Sequence, residues 1–89
     1  MSRAFVREDP EEVPPRYELP PRIDPGFDQA AAWALLEGAN RGDSRGAEAA
    51  TGYRWGEPTL RPLIKQILTH ARSRGDDRLE QLAERFLKA

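Results

Sequence analysis

"LRPLIKQILTHARSRGDDRLEQLAERFL", residues 60–87, decides the fold. Leu60, Leu63, Ile64, Ile67, Leu68 and Ala71 fall at i, i+3, i+4, i+7, i+8 and i+11, which is one face of an α-helix. After Arg74-Gly75-Asp76 the pattern resumes with Leu79, Leu82, Ala83, Phe86 and Leu87. Gly75 suits the left-handed position just past a helix end, and Asp76 has a side-chain oxygen to cap the next helix. Two amphipathic helices joined by so short a turn fold back on each other as a helical hairpin.

Upstream, the pattern occurs a second time. Residues 24–56, DPGFDQAAAWALLEGANRGDSRGAEAATGYRWG, align without a gap on residues 57–89 at an offset of 33. Asp24-Pro25 meets Glu57-Pro58, and Arg41-Gly42-Asp43 meets Arg74-Gly75-Asp76. The first apolar stripe maps onto Phe27, Ala30, Ala31, Ala34, Leu35 and Gly38; the second maps onto Gly46, Ala49, Ala50 and Tyr53. Stripes made of alanine and glycine let two helices approach closely. Asp24 and Pro25 read as N-cap and first helical residue, Thr59 as a cap, and Asp77 with Glu80 as a capping box. The expected helices cover about 27–41, 43–53, 59–74 and 77–88. The fold class is therefore all-α: four short helices as two tandem αα-hairpins, 24–56 and 57–89, within a helical domain over 26–89. A disordered tail, 1–12, and an extended Pro-rich arm, 13–25, are expected to precede it.

Gly42-Asp43-Ser44-Arg45-Gly46-Ala47 resembles the segment between the two helices of a tetratricopeptide repeat, which has Gly-Asp and then an alanine four residues on. The family's tryptophan, leucine, glycine and tyrosine of the first helix have Ala31, Ala34, Leu35 and Gly38 in their places, and Glu80 replaces the alanine in the second copy. The resemblance implies a tetratricopeptide-like hairpin pair at most. The opening Met-Ser-Arg-Ala-Phe-Val-Arg-Glu-Asp is similar to the start of some bacterial proteins related to Gre transcription factors, which adds weight to a bacterial, transcription-associated alternative.

Composition removes several function classes. With no cysteine and one histidine, His70, the chain has no thiolate nucleophile, disulfide or histidine-rich metal site. No pair of residues supplies nucleophile and base, so no catalytic, cofactor-binding or metal-binding residue is assigned, and the expected protein is not an enzyme. Fourteen basic residues against 15 acidic ones lack the positive excess of a nucleic-acid-binding domain. The longest apolar run, Ala30 to Leu36, is too short for a bilayer. The opening turns acidic before an apolar stretch develops, so no export signal is read, and a cytoplasmic location is expected.

Three motifs have plain structural readings. Arg-Gly-Asp, twice present, spells an adhesion tripeptide, but helix dipole, helix stop and helix cap account for its three residues. Pro14-Pro15-Arg16-Tyr17 fits the pattern that WW domains bind, in a stretch where prolines are dense anyway. Glu8, Asp9, Glu11 and Glu12 read as a solvated acidic run.

The candidate site is an apolar surface on the first hairpin, read either as packing inside the domain or as a partner or self-association face. Trp33 and Leu36 lie off the first hairpin's stripe, where the second copy has Gln66 and Thr69, and Trp55 has Lys88 opposite it. Val13, Tyr17, Leu19 and Ile23 punctuate the arm, more apolar bulk than a solvated leash carries. The arm is expected to lie across the helices near Trp33 and Leu36. Partner-binding candidates are Trp33, Leu36, Trp55, Tyr17 and Leu19. The expected function is a small non-catalytic interaction module, binding another protein or a second copy as a homodimer. A nucleic-acid or transcription-complex accessory is the alternative.

Overall fold

The computed structural model describes residues 17–89. The expected tail and the beginning of the arm, Val13 to Arg16, lie outside the described residues. Four helices follow: α1 Phe27–Asn40, α2 Ser44–Thr51, α3 Arg61–Arg74 and α4 Asp77–Lys88, with a 3-10 turn at Pro58–Leu60 before α3. The protein is all-helical over the described residues, as the periodicity predicts. Among them no helix is long and apolar enough to cross a membrane.

The chain does not run extended into α1. The N–H of Asp24 donates to the Pro21 carbonyl at 2.9 Å, and the N–H of Phe27 donates to the Asp24 carbonyl at 2.9 Å. Asp24 Oδ1 also accepts from the Gly26 N–H at 2.7 Å. Residues 21–27 are thus two successive tight turns, sharing Asp24. Aspartate at the first turn position and proline at the second favour this over a helix start. The expected cap by Asp24 is therefore corrected: α1 begins after Gly26, with no side-chain cap.

Both Arg-Gly-Asp segments form the same turn. Gly42 and Gly75 have φ of 74° and 72°. The Asp43 N–H donates to the Gly38 carbonyl at 2.7 Å and the Asp76 N–H to the Ala71 carbonyl at 2.9 Å. This is the six-to-one bond of a Schellman motif, closed by glycine in the left-handed region. Each aspartate then caps the next helix. Asp43 accepts from the Gly46 N–H at 3.2 Å and Asp76 from the Leu79 N–H at 3.1 Å. Asp76 is the cap, not Asp77 with Glu80; Glu80 instead pairs with Arg72 at 3.1 Å. Nor does Thr59 cap: Glu57 accepts from the Thr59 N–H at 3.3 Å and starts the 3-10 turn.

α1 is the central helix. It packs against α2, α3 and α4, and α3 packs against α4. It buries a wide arc, Phe27, Ala31, Ala32, Ala34, Leu35, Leu36 and Gly38. Gly38 is where α2 comes closest: a Cβ there would lie 2.6 Å from the Cβ of Ala47 and 3.0 Å from the carbonyl oxygen of Asp43. This contact sets the face that α2 presents. Ala47 and Thr51 are buried, whereas Ala49 and Ala50 of the expected stripe are exposed. The Thr51 hydroxyl is satisfied by donating to the Ala47 carbonyl at 2.9 Å and accepting from the Tyr53 N–H at 3.1 Å. The main core joins Leu35 and Leu36 to Leu60, Ile64, Ile67, Leu82 and Phe86, and Trp55 meets Phe86 edge-on with ring centroids 4.9 Å apart.

Candidate functional site

Because α1 buries one broad side, its opposite side faces solvent, and Trp33 sits there. It is 39% exposed on a helix otherwise held by three neighbours. Three shallow clefts meet at its ring. One, about 380 Å³, lies between α1 and the segment before it and is lined by Tyr17, Glu18, Ala30, Ala34 and Glu37. A second, about 290 Å³, opens toward α3 at Leu63, Gln66 and His70. The third, about 350 Å³, opens toward α4 at Arg78, Leu79 and Leu82. On the α3 side the His70 ring stands edge-on to Trp33, centroids 6.4 Å apart. On the α4 side Arg78 Nε donates to Asn40 Oδ1 at 2.9 Å.

The predicted partner-binding residues divide. Trp33 is on the surface, as a contact residue must be. Leu36 is 1% exposed and belongs to the core, so the expected Trp33–Leu36 surface is corrected. Packing on α3 and α4 buries the Leu36 side of α1 and leaves Trp33 at its rim, partly exposed beside His70. Trp55 is half-buried against Phe86. Leu19 is half-buried, and Ile23, expected to dock with the arm, is 94% exposed.

Tyr17 is half-buried and does not cover Trp33; it lines one wall of a cleft beside it. Its hydroxyl donates to Asp43 Oδ2 at 2.7 Å, and the Arg41 guanidinium lies 5.4 Å over its ring. Burial and then the hydrogen bond to Asp43 raise the Tyr17 phenol above its ordinary pKa of 10.0. The Tyr53 phenol is raised too, first by its hydrogen bond to Asp28 at 2.7 Å and then by burial.

Sequence reasoning missed Arg22. Its guanidinium lies 5.1 Å over Phe27 and 5.9 Å over Tyr53, and Nη1 donates to the Thr51 carbonyl at 3.0 Å. No local pattern could have found it, because its partners are brought together only by the fold. Glu18 and Glu37, on either side of Trp33's first cleft, also read as ordinary surface charge. Among the described residues no group of three or more His, Asp or Glu side chains is placed to hold a metal ion.

Comparison with known proteins finds no family model, no curated protein and no solved structure that matches this chain.

Proposed function

We propose that this chain is a small, non-catalytic protein-interaction module whose contact surface is centred on Trp33. One observation carries the reading: the indole is exposed at the meeting point of three clefts, on the helix that every other helix supports. A tryptophan presented on a rigid element is the type of side chain that anchors protein interfaces, because little entropy is lost when it is covered. The two helix pairs are duplicates of one 33-residue unit. Matching left-handed glycines, six-to-one bonds and aspartate caps support this, as does burial of Phe27, Ala31, Ala34 and Gly38 at the positions of Leu60, Ile64, Ile67 and Ala71. The second helices of the pairs differ, since α2 buries Ala47 and Thr51 where α4 buries Leu82, Ala83 and Phe86.

The alternative, a nucleic-acid accessory, has less support. Glu18, Glu37 and Asp76 line the clefts around Trp33 against Arg78 alone among the arginines and lysines, and acidic side chains repel phosphate. The test is affinity purification with the wild-type chain, Trp33→Ala and Trp55→Phe in parallel, with each recovered protein re-bound in purified form. A partner lost with Trp33→Ala and kept with Trp55→Phe supports the reading. Equal binding to all three chains, or salt-dependent retention on duplex DNA or RNA in place of a protein, overturns it.

A further inference from the structure

We infer that the cleft between Tyr17 and Trp33 receives an arginine side chain of the partner protein. This rests on the reading of Trp33 as the contact surface and names the chemistry that would seat on it. The cleft, about 380 Å³, has two aromatic side chains, Tyr17 and Trp33, two carboxylates, Glu18 and Glu37, and a floor of Ala30 and Ala34. Alanine offers nothing for a polar ligand group to bond and leaves room for a flat one. Rings and carboxylates together match a guanidinium, which stacks on an aromatic face and donates to carboxylates from its edge.

This chain makes the same kind of contact with its own residues. Arg22 lies over Phe27 and Tyr53, and Arg41 over Tyr17. Among the described residues no arginine or lysine is stacked on Trp33, although indole is the strongest of the aromatic faces for a cation. Glu37 already has a cation in reach, Arg41 at 3.7 Å, but both side chains are substantially exposed, and a pair of that kind is weak enough to exchange. Tyr17 is fixed from behind by its bond to Asp43, so this wall of the cleft is formed before a ligand arrives.

The experiment is an NMR titration of the full chain with a short glycine-flanked peptide carrying a single arginine, and with the same peptide carrying citrulline, its neutral isostere. The indole N–H signals of Trp33 and Trp55 are read separately, assigned with Trp33→Phe and Trp55→Phe. The arginine peptide should move the Trp33 signal saturably and leave Trp55 in place. Citrulline should bind about tenfold more weakly, as should arginine to the Glu18→Gln/Glu37→Gln chain. Equal binding of the two peptides, or no loss in the double variant, overturns the proposal. So does arginine-peptide binding that emerges only with Arg16→Gln, which would assign the cleft to the chain's own arginine. These outcomes leave the Trp33 reading standing, because that reading fails on different results: purified partners that bind Trp33→Ala as well as wild type, or retention on duplex DNA or RNA in place of a protein.

Discussion

The Tyr17 hydroxyl donates to Asp43 Oδ2 at 2.7 Å, while the other oxygen of the same carboxylate accepts from the Gly46 N–H at 3.2 Å. One side chain both starts α2 and anchors the chain that precedes α1. At the far end of α2, Arg22 donates to the Thr51 carbonyl at 3.0 Å. Residues 17–22 therefore grip α2 at both ends. The helix needs it: with eight residues, an internal Gly46 and only Ala47 and Thr51 buried, α2 is too short and too bare to persist alone.

Tyr17→Phe should cost about 1 kcal/mol, the net value of one hydrogen bond. Asp43→Ala should cost about 2 kcal/mol, since it removes the helix cap as well. In urea melts the double variant should cost less than the sum of the two, because the shared bond is lost only once. Strict additivity would mean that the Tyr17–Asp43 bond contributes nothing.

Comparing a chain that begins at Tyr17 with one that begins at Asp24 isolates the grip on α2. The shorter chain loses the Tyr17 bond, the Arg22 bond and the Arg22 stacks, and should be less stable by about 2–3 kcal/mol. Hydrogen exchange should locate the loss, with amides of α2 opening well before those of α3 and α4. Uniform loosening of all four helices would contradict this.

Three glycine-to-alanine changes separate steric from backbone cost. Gly42 and Gly75 face open space at φ of 74° and 72°, so each should lose about 1 kcal/mol from backbone strain alone. Gly38 has no backbone reason to be glycine, yet its alanine would press on Ala47 and on the Asp43 carbonyl. Gly38→Ala should therefore cost about 1–3 kcal/mol by forcing α1 and α2 apart. Melting temperatures that rank Gly38→Ala as the mildest of the three would sink the close-approach argument.

High pH should loosen the same region. The Tyr17 and Tyr53 phenols are held above 10.0, so the folded chain keeps these protons more tightly than the unfolded one. Their contribution is complete below the unfolded value and is lost as pH rises through the folded values. The melting temperature should fall on passing above pH 10, and Tyr17→Phe/Tyr53→Phe should flatten that fall. An alkaline limb unchanged in the double variant would place the titration elsewhere.

Trp33 and Leu36 should behave oppositely. Trp33→Ala removes an indole that is 39% exposed and partly packed beside His70, so it should cost about 1–2 kcal/mol, while abolishing partner binding. Leu36→Ala should cost about 2–5 kcal/mol, since it empties a core position. In a Trp55→Phe background acrylamide should quench Trp33 readily. Strong protection of Trp33 would show that something covers it, a second copy of the chain being the first to check by sedimentation.

The sequence by itself determined the four helices and the two Arg-Gly-Asp turns, but not the starts of α1 and α3, where Asp24 and Thr59 do not cap. Leu60 to Ala71 and Leu79 to Leu87 carry side chains large enough to fix a face, and Gly42, Asp43, Gly75 and Asp76 act through bonds to backbone three to five residues away. Such signals are local, so they survive without knowledge of the fold. Tertiary structure decided the rest. In α2, alanines on every side give no face a clear advantage, and the approach to Gly38 chose Ala47 and Thr51. On α1 the periodicity could not tell Trp33 from Leu36, because a helix with three neighbours buries an arc wider than one stripe. Which of the two stayed outside depended on where α3 and α4 came to rest. Arg22 found Phe27, Tyr53 and Thr51 in the same way, since a guanidinium needs rings and a carbonyl gathered in space, and nothing in their order along the chain announces that meeting.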